Sequence, residues 1–302
     1  MLPVISCYSN SLCGAAGSFP TNTVPAGSIA SSTPFVDSLS NGVWSITVLP
    51  NPPGTYATTI TAISCPSANW CVAVGNASSN PSGLGTSPVI DVLEGNTWSV
   101  ESAVLPSGTE LHGLWCNAQQ WCVAVGTVKP AQGPTEGVVD MLSSGTWTPT
   151  VLPGDGYSLD GVASSSAPIC AAVGSAGGMG LVESLTGAAP WTPTTIPGAQ
   201  SLQAVSCLAG CFAVGNGNQG TTGGGPVAAV QSNGASNGPW TTATLPVPGG
   251  VSNPYLLAVS CYFAFDASVN PYPACNAVGY AVKDGTGKYV SLVESLSGSV
   301  WR

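Results

Sequence analysis

The segment Ile63-Ser64-Cys65-Pro66-Ser67-Ala68-Asn69-Trp70-Cys71-Val72-Ala73-Val74-Gly75 recurs along the whole chain, and no other feature constrains the fold as much. Aligned on the two cysteines, its relatives are Ile5-Ser6-Cys7 to Cys13-Gly14-Ala15-Ala16-Gly17, Leu114-Trp115-Cys116 to Cys122-Val123-Ala124-Val125-Gly126, and Val162-Ala163-Ser164 to Cys170-Ala171-Ala172-Val173-Gly174. Two more follow, Val205-Ser206-Cys207 to Cys211-Phe212-Ala213-Val214-Gly215 and Val259-Ser260-Cys261 to Cys275-Asn276-Ala277-Val278-Gly279. First-cysteine positions lie 58, 51, 48, 43 and 54 residues apart, a period that belongs to propeller blades or another repeat array.

After each copy comes an apolar run with an embedded acid, as in Val89-Ile90-Asp91-Val92-Leu93 and Leu181-Val182-Glu183-Ser184-Leu185. A Gly turn and a tryptophan close the unit: Trp44, Trp98, Trp147, Trp191, Trp240 and Trp301. Each unit thus holds four short β-branched segments between turn residues, the content of one four-stranded blade. The expected fold is all-β, a β-propeller of six blades, or seven if a terminal blade lies outside the chain. We expect one propeller domain over residues 1–302, with repeats at approximately 1–50, 51–106, 107–153, 154–197, 198–246 and 247–302. The cysteine pair flanks the turn between the first two strands, so each hairpin is expected to carry a disulfide: Cys7 with Cys13, Cys65 with Cys71, Cys116 with Cys122, Cys207 with Cys211, and Cys261 with Cys275. Loop entropy gives each short bridge roughly 2 to 2.5 kcal/mol.

Ten of eleven cysteines pair within repeats, which points to an oxidising compartment and a secreted or cell-envelope protein. Cys170 is left over because Ser164 stands in its partner's place; it reads as a buried thiol in a decayed repeat, with an intermolecular bridge as the other reading. Five pairs sharing one histidine make poor zinc sites, so neither a metal nor a cofactor is expected, although calcium at some of the acids stays open. Only Lys129, Lys283, Lys288 and Arg302 are basic, against thirteen acids, so the chain cannot track phosphates and nucleic acid is excluded as a partner. No run of about twenty apolar residues suggests membrane insertion. Met1-Leu2-Pro3-Val4 runs into the first repeat without a signal-peptide pattern, which reads as a piece of a longer exported protein or as two ends completing one blade.

Three constellations are candidates for function. If strand one lines the channel, the residue two places into it forms an arc of Thr61, His112, Asp160, Gln203 and Leu257. Within that arc Glu110, His112 and Asp160 are the one place where the chain could assemble an acid/base site, against the plainer reading of a polar, water-filled axis. Trp70 and Trp121 at equivalent hairpin turns, with Trp115 beside Cys116, could offer flat faces to a sugar or simply cover the disulfides. The strand-three acids Asp37, Asp91, Asp140, Glu183 and Glu294, with Ala229 or Gln231 in repeat five, are expected to accept structural hydrogen bonds, since one acid per blade makes a symmetric array and not a catalytic pair. Turn-rich connections between strands two and three, such as 18–34, 76–87 and 216–225, mark rim loops.

The pattern Leu-x-x-Val-Ser-Cys, Cys-x-Ala-Val-Gly, an acid and a Gly-x-Trp turn resembles a cysteine-containing repeat of exported actinobacterial proteins. It is also distantly similar to Asp-box propellers, including sialidase-type repeats and the photosystem II assembly-factor family, with Ser38 to Trp44 and Ser143 to Trp147 at the turn. That resemblance implies a propeller and transfers no catalytic residue, because the box is a folding turn and its aspartate is replaced here. Sialidases clamp a carboxylate with three arginines, and this chain has only Arg302. The expected function is a non-catalytic extracellular binding or scaffolding propeller with a glycan or protein partner at the cell surface, recognised by rim loops and by Trp70, Trp115, Trp121, Thr61 and Gln203. The alternative is a glycan-active hydrolase or lyase using Glu110, His112 and Asp160. Oligomeric state is not readable.

Overall fold

The computed structural model describes residues 4–9, 11–22, 29–83, 85–101, 104–118, 120–166, 169–187, 190–208, 210–217, 225–231, 238–266, 268–297 and 300–302. The centres of two expected rim loops, 23–28 and 218–224, lie outside the described residues. The chain divides into two compact units, Met1–Gly154 and Asp155–Arg302, and the division falls between repeats three and four.

The first unit holds blade 1, β1 to β4 (Val4–Ser9, Leu12–Pro20, Ser32–Ser40, Val43–Val48), and blade 2, β5 to β8 (Ala57–Ser67, Trp70–Ser78, Thr86–Glu94, Thr97–Glu101). Blade 3 completes it with β9 to β12 (Thr109–Cys116, Cys122–Val128, Glu136–Ser143, Thr146–Leu152). The second unit holds blade 4, β13 to β16 (Ser158–Ser166, Ile169–Ala176, Met179–Thr186, Thr192–Ile196), and blade 5, β17 to β20 (Ala199–Cys207, Cys211–Gly217, Pro226–Gln231, Trp240–Thr244). Its last blade, blade 6, is β21 to β24 (Val251–Phe265, Pro271–Lys283, Lys288–Ser297, Val300–Trp301). Every blade is an antiparallel meander, and a single parallel bridge, Ser32 to Ala57, links blades 1 and 2.

All five expected disulfides are present. Four join residues directly opposite one another in the ladder, where adjacent strands already bring side chains together. Cys170 is buried and free, in agreement with the reading of a buried thiol in a decayed repeat. The turns between strands three and four of blades 1 and 3 have two successive residues at positive φ, Asn41 with Gly42 and Ser144 with Gly145, matching the twist of a tight hairpin.

Within each unit, strand one of a blade packs against the first three strands of the blade before it: β5 on β1, β2 and β3, β9 on β5, β6 and β7, β17 on β13, β14 and β15, and β21 on β17, β18 and β19. Consecutive first strands also touch one another, which makes them the inner edge of each unit. The cores lie between blades. Ile60, Ile63 and Ala73 of blade 2 meet Ala16 and Val36 of blade 1, and Val74 and Ile90 of blade 2 meet Leu111 and Ala124 of blade 3.

The serine of Val-Ser-Cys has a role in this stacking. The backbone N–H of Cys65 donates to Ser6 Oγ (3.0 Å), that of Cys116 to Ser64 Oγ (3.1 Å) and that of Cys261 to Ser206 Oγ (3.1 Å), so one blade's serine latches the next blade's first cysteine.

Candidate functional site

The residues of the expected arc are alike in a way that spacing had not shown. Thr61, His112, Asp160, Gln203 and Leu257 are each the extra residue of a β-bulge, skipped by the pairing between strands one and two. The apolar pattern requires it. Leu256 and Val259, three apart, both pack in one interblade core, as do Ile60 and Ile63, whereas a regular strand would send them to opposite faces. The bulge restores the phase and pushes its own side chain outward: Thr61, His112, Asp160 and Gln203 are half-buried and Leu257 is exposed. The glycine of Ala-Val-Gly answers the same bulge. A Cβ at Gly75, Gly126, Gly174, Gly215 or Gly279 would stand 2.7–2.9 Å from a Cα of strand one and closer still to a carbonyl oxygen.

The acid/base candidates divide between the units. Glu110 and His112 flank Leu111 on β9 in the first unit, and Asp160 lies on β13 in the second. Glu110 is exposed and its Oε1 accepts a hydrogen bond from Thr86 Oγ1 (2.9 Å), while Asp160 Oδ1 accepts one from Ser158 Oγ (2.7 Å). Thr61 serves blade stacking: its hydroxyl lies 2.8 Å from Leu111 O and 3.2 Å from Val74 O and donates toward both. Asn76 holds the same Leu111 backbone, donating to the carbonyl (3.0 Å) and accepting from the N–H (2.9 Å).

The tryptophans do not form one rim. Trp70 is only 7 % exposed and packs among Val72, Leu111 and Cys116 in the core between blades 2 and 3, so it offers no open face. It opens strand β6, whereas Trp121 sits in a turn whose ends are tied by Asn117, with Trp121 N–H on Asn117 Oδ1 (3.1 Å). Trp121 and Trp115 remain half-buried, edge to face with centroids 5.9 Å apart.

In five of the six blades the strand-three acid sits opposite the alanine of Cys-x-Ala-Val-Gly: Asp37 on Ala15, Asp91 on Ala73, Asp140 on Ala124, Glu183 on Ala172, Glu294 on Ala277. In blade 5 that place belongs to Ala229, which faces Ala213. The hydrogen bonds expected of these acids are largely missing. Both carboxyl oxygens of Asp91 and of Asp140 are buried without a partner among the described residues. Trp147 Nε1–H instead donates to Glu101 Oε2 (3.0 Å) on the neighbouring blade. Burial raises Asp91 to about 7 and Asp140 to about 6; burial also raises Glu183 to about 7, against a hydrogen bond from Tyr157 that lowers it. Burial in the blade thus favours the protonated form of Asp91, Asp140 and Glu183 over the ionised one.

In the second unit two of the bulges line a cleft of about 460 Å³. Its walls include Ser201, Gln203, Asn216, Tyr255, Leu257 and Tyr280, and none of its lining residues is charged. Tyr255 and Tyr280, register partners in blade 6, are stacked at 5.3 Å, and Tyr289 meets Tyr280 edge-on at 5.2 Å. Gln203 Nε2–H donates to Ser201 Oγ at 3.3 Å. Asn216 is 8 % exposed and its Oδ1 has no partner among the described residues. Of these residues only Gln203 stands among the sequence's ligand candidates. The signal for Tyr280 is its place directly after the Ala-Val-Gly glycine, where the other blades carry Ser18, Asn76, Thr127, Ser175 and Asn216.

Solved structures of this architecture exist at low sequence identity. A subtype N11 neuraminidase-like protein from the A/flat-faced bat/Peru strain aligns with TM-score 0.55 and 11% identity over 98% of this chain and 88% of its own. A protein of unknown function from Dyadobacter fermentans aligns at 0.57 and 12% over 97% and 93%, and a neuraminidase-like protein from A/bat/Guatemala at 0.56 and 10% over 98% and 88%. The fold is a β-propeller. Neither a protein-family model nor a curated protein matches the chain. At these identities the likeness extends to the propeller's architecture alone.

Proposed function

We propose that this propeller is a non-catalytic extracellular binding module that holds a neutral glycan in the cleft of its second unit. The observation that carries the reading is the lining of that cleft: stacked tyrosines beside Gln203, Ser201 and Asn216, without charge. Aromatic faces suit the C–H faces of a sugar ring, and amides with hydroxyls match its hydroxyl groups. An anionic sugar would need cations, and the chain has four, none of them in the cleft. Glycoside hydrolysis needs two carboxyl groups about 5–10 Å apart flanking the bond; the cleft has none. Five disulfides fit an oxidising compartment, supporting a secreted or envelope location. The Asn41-Gly42 turn before Trp44 supports kinship with exported Asp-box-like repeats.

The test is a neutral-glycan array on the oxidised protein, followed by titration of the best ligand against Tyr280→Ala and a Trp115→Ala/Trp121→Ala double variant. Loss of affinity of about tenfold or more in Tyr280→Ala alone, the size of one good stacking contact, is expected. Loss confined to the tryptophan variant moves the site to the disulfide end of blade 3. Turnover of the bound glycan, abolished by Glu110→Gln, establishes the hydrolase or lyase alternative instead.

A further inference from the structure

In the first unit a cavity of about 310 Å³ lies between blades 1 and 2, at the end that carries their disulfides. Gly14 and the disulfide cysteines Cys65 and Cys71 are its buried residues, Leu12, Leu93 and Trp98 line it half-buried, and Ser40, Asn69 and Asn96 are exposed at its mouth. Tyr8 also lines it and is 56% exposed. None of its lining residues is charged. Protein interiors leave few voids larger than a water molecule, so a space of this size between two packed sheets has its cause in the residues around it.

The same place one blade later shows that cause. In blade 2 the residue before the second cysteine is Trp70, and the next pair on that face of the ladder is Val72 opposite Val92. Trp70 and both valines are at most 7% exposed and pack in one core with Cys116, Cys122 and Trp147 of blade 3. In blade 5 a ring again lies against the next disulfide: Phe212, at the Val72 position, shares a core with Cys261, Cys275 and Trp301 of blade 6. Blade 1 has Leu12 where blade 2 has Trp70, and Gly14 opposite Ser38 where blade 2 has Val72 opposite Val92. Smaller residues thus stand where an indole and two valines fill the neighbouring interface, while Cys65, Cys71 and Trp98 keep the places that Cys116, Cys122 and Trp147 hold in blade 3. Glu101, which accepts the Trp147 Nε1–H, has Thr47 as its counterpart in blade 1, so that carboxylate is missing as well.

We propose that this cavity binds a neutral, planar aromatic molecule of the size of indole. The neighbouring interface gives the chemistry of the occupant, because there an indole packs in one core with the next blade's disulfide cysteines and its strand-closing tryptophan. A ligand ring between blades 1 and 2 meets the same surroundings, Cys65, Cys71, Leu93 and Trp98, and Tyr8 adds a further aromatic surface. Offset and edge-on ring contacts favour an aromatic molecule over an aliphatic one of equal size. The volume suffices, since an engineered cavity of roughly 150 Å³ holds benzene. Ser38, Ser40, Thr47, Asn69 and Asn96 offer hydroxyls and amides to one polar group on the ring, and a lining without charge gives an ionised ligand no counter-ion. The site shares no residue with the tyrosine cleft of the second unit and does not rest on the glycan reading.

Calorimetric titration of indole into the oxidised full chain tests this, beside Leu12→Trp, which supplies the ring of blade 2, and Ser38→Val, which restores one of its valines. The wild type is expected to bind one indole with a dissociation constant of about 1 mM or tighter. Leu12→Trp is expected to abolish binding and to raise the melting temperature, because its own ring then fills the cavity. Ser38→Val changes a half-buried strand position and is expected to weaken binding about tenfold with the fold intact, so the test stands even if Leu12→Trp does not fold. Phenol and cyclohexanol, nearly equal in size, separate ring chemistry from bulk: phenol is expected to bind more tightly, and equal binding overturns the aromatic assignment. A wild type that takes up no indole overturns the proposal, as does unchanged binding in either folded variant. Tyr280→Ala is expected to bind indole as the wild type does, and a loss there overturns the proposal by placing the ring in the tyrosine cleft.

Discussion

Ser164 and Cys170 face each other in the ladder of blade 4 as Cys116 and Cys122 do in blade 3. Blade 4 therefore keeps the geometry of a disulfide without the bond. Ser164 Oγ–H donates to the Ile169 carbonyl at 2.6 Å, and burial pushes the Cys170 thiol up to about 11, partly offset by its hydrogen bond with Ser164. A buried, un-ionised thiol is a poor nucleophile and resists oxidation. Ser164→Cys is expected to close the missing bridge and to stabilise the protein by roughly 2 kcal/mol, the loop-entropy value for so short a loop. Thiol titration of the denatured protein should then fall from one reactive group to none, with a higher melting temperature; two reactive thiols would show that the pair does not close.

At the scale of the element, the bulge in strand one explains both Leu-x-x-Val and the glycine of Ala-Val-Gly. Gly126→Ala would drive a methyl group into the Glu110 carbonyl and the Leu111 Cα, 2.9 Å away. The strand must then shift or lose its bulge, and losing it turns Leu111, fully buried, toward the wrong face. A destabilisation of about 3 kcal/mol is expected, measured as a lower denaturant midpoint, and an unchanged midpoint would mean that the close approach is not real. The repeat, its four strands and its disulfides are legible in the sequence because each rests on spacing within a few tens of residues. The bulge is not, because the odd separation of Leu256 and Val259 acquires its meaning only once both are seen to pack in one core. The candidate site is legible only in part. Gln203 follows from its place in strand one, but Tyr255 and Tyr280 become neighbours only when β21 pairs with β22. Trp70 and Trp121 share a repeat position, and only the packing of blade 2 on blade 3 buries one and leaves the other at the turn.

For the whole molecule the buried acids set how stability depends on pH. Asp91, Asp140, Glu183 and Glu294 all have pKa values raised by burial, from the ordinary 3.8 or 4.5 to about 7, 6 and 7 for the first three. Between about pH 4 and pH 7 the folded chain therefore holds protons that the unfolded chain has released, and stability must fall as pH rises through that window. Below it both states are protonated and this contribution is fully retained. Every unit by which folding raises such a pKa costs about 1.4 kcal/mol once the group ionises. Net charge acts in the same direction, moving from zero near pH 4.1 to −9 at pH 7 with four cations to offset thirteen acids. Thermal melts should show the highest midpoint near pH 4 and a steady decline to neutrality. Asp91→Asn keeps the shape of the acid without its proton, so it is expected to match the wild type near pH 4 and to melt higher near pH 7.5, flattening the curve. A midpoint that rises with pH in the wild type would show that these carboxyl groups find donors after all.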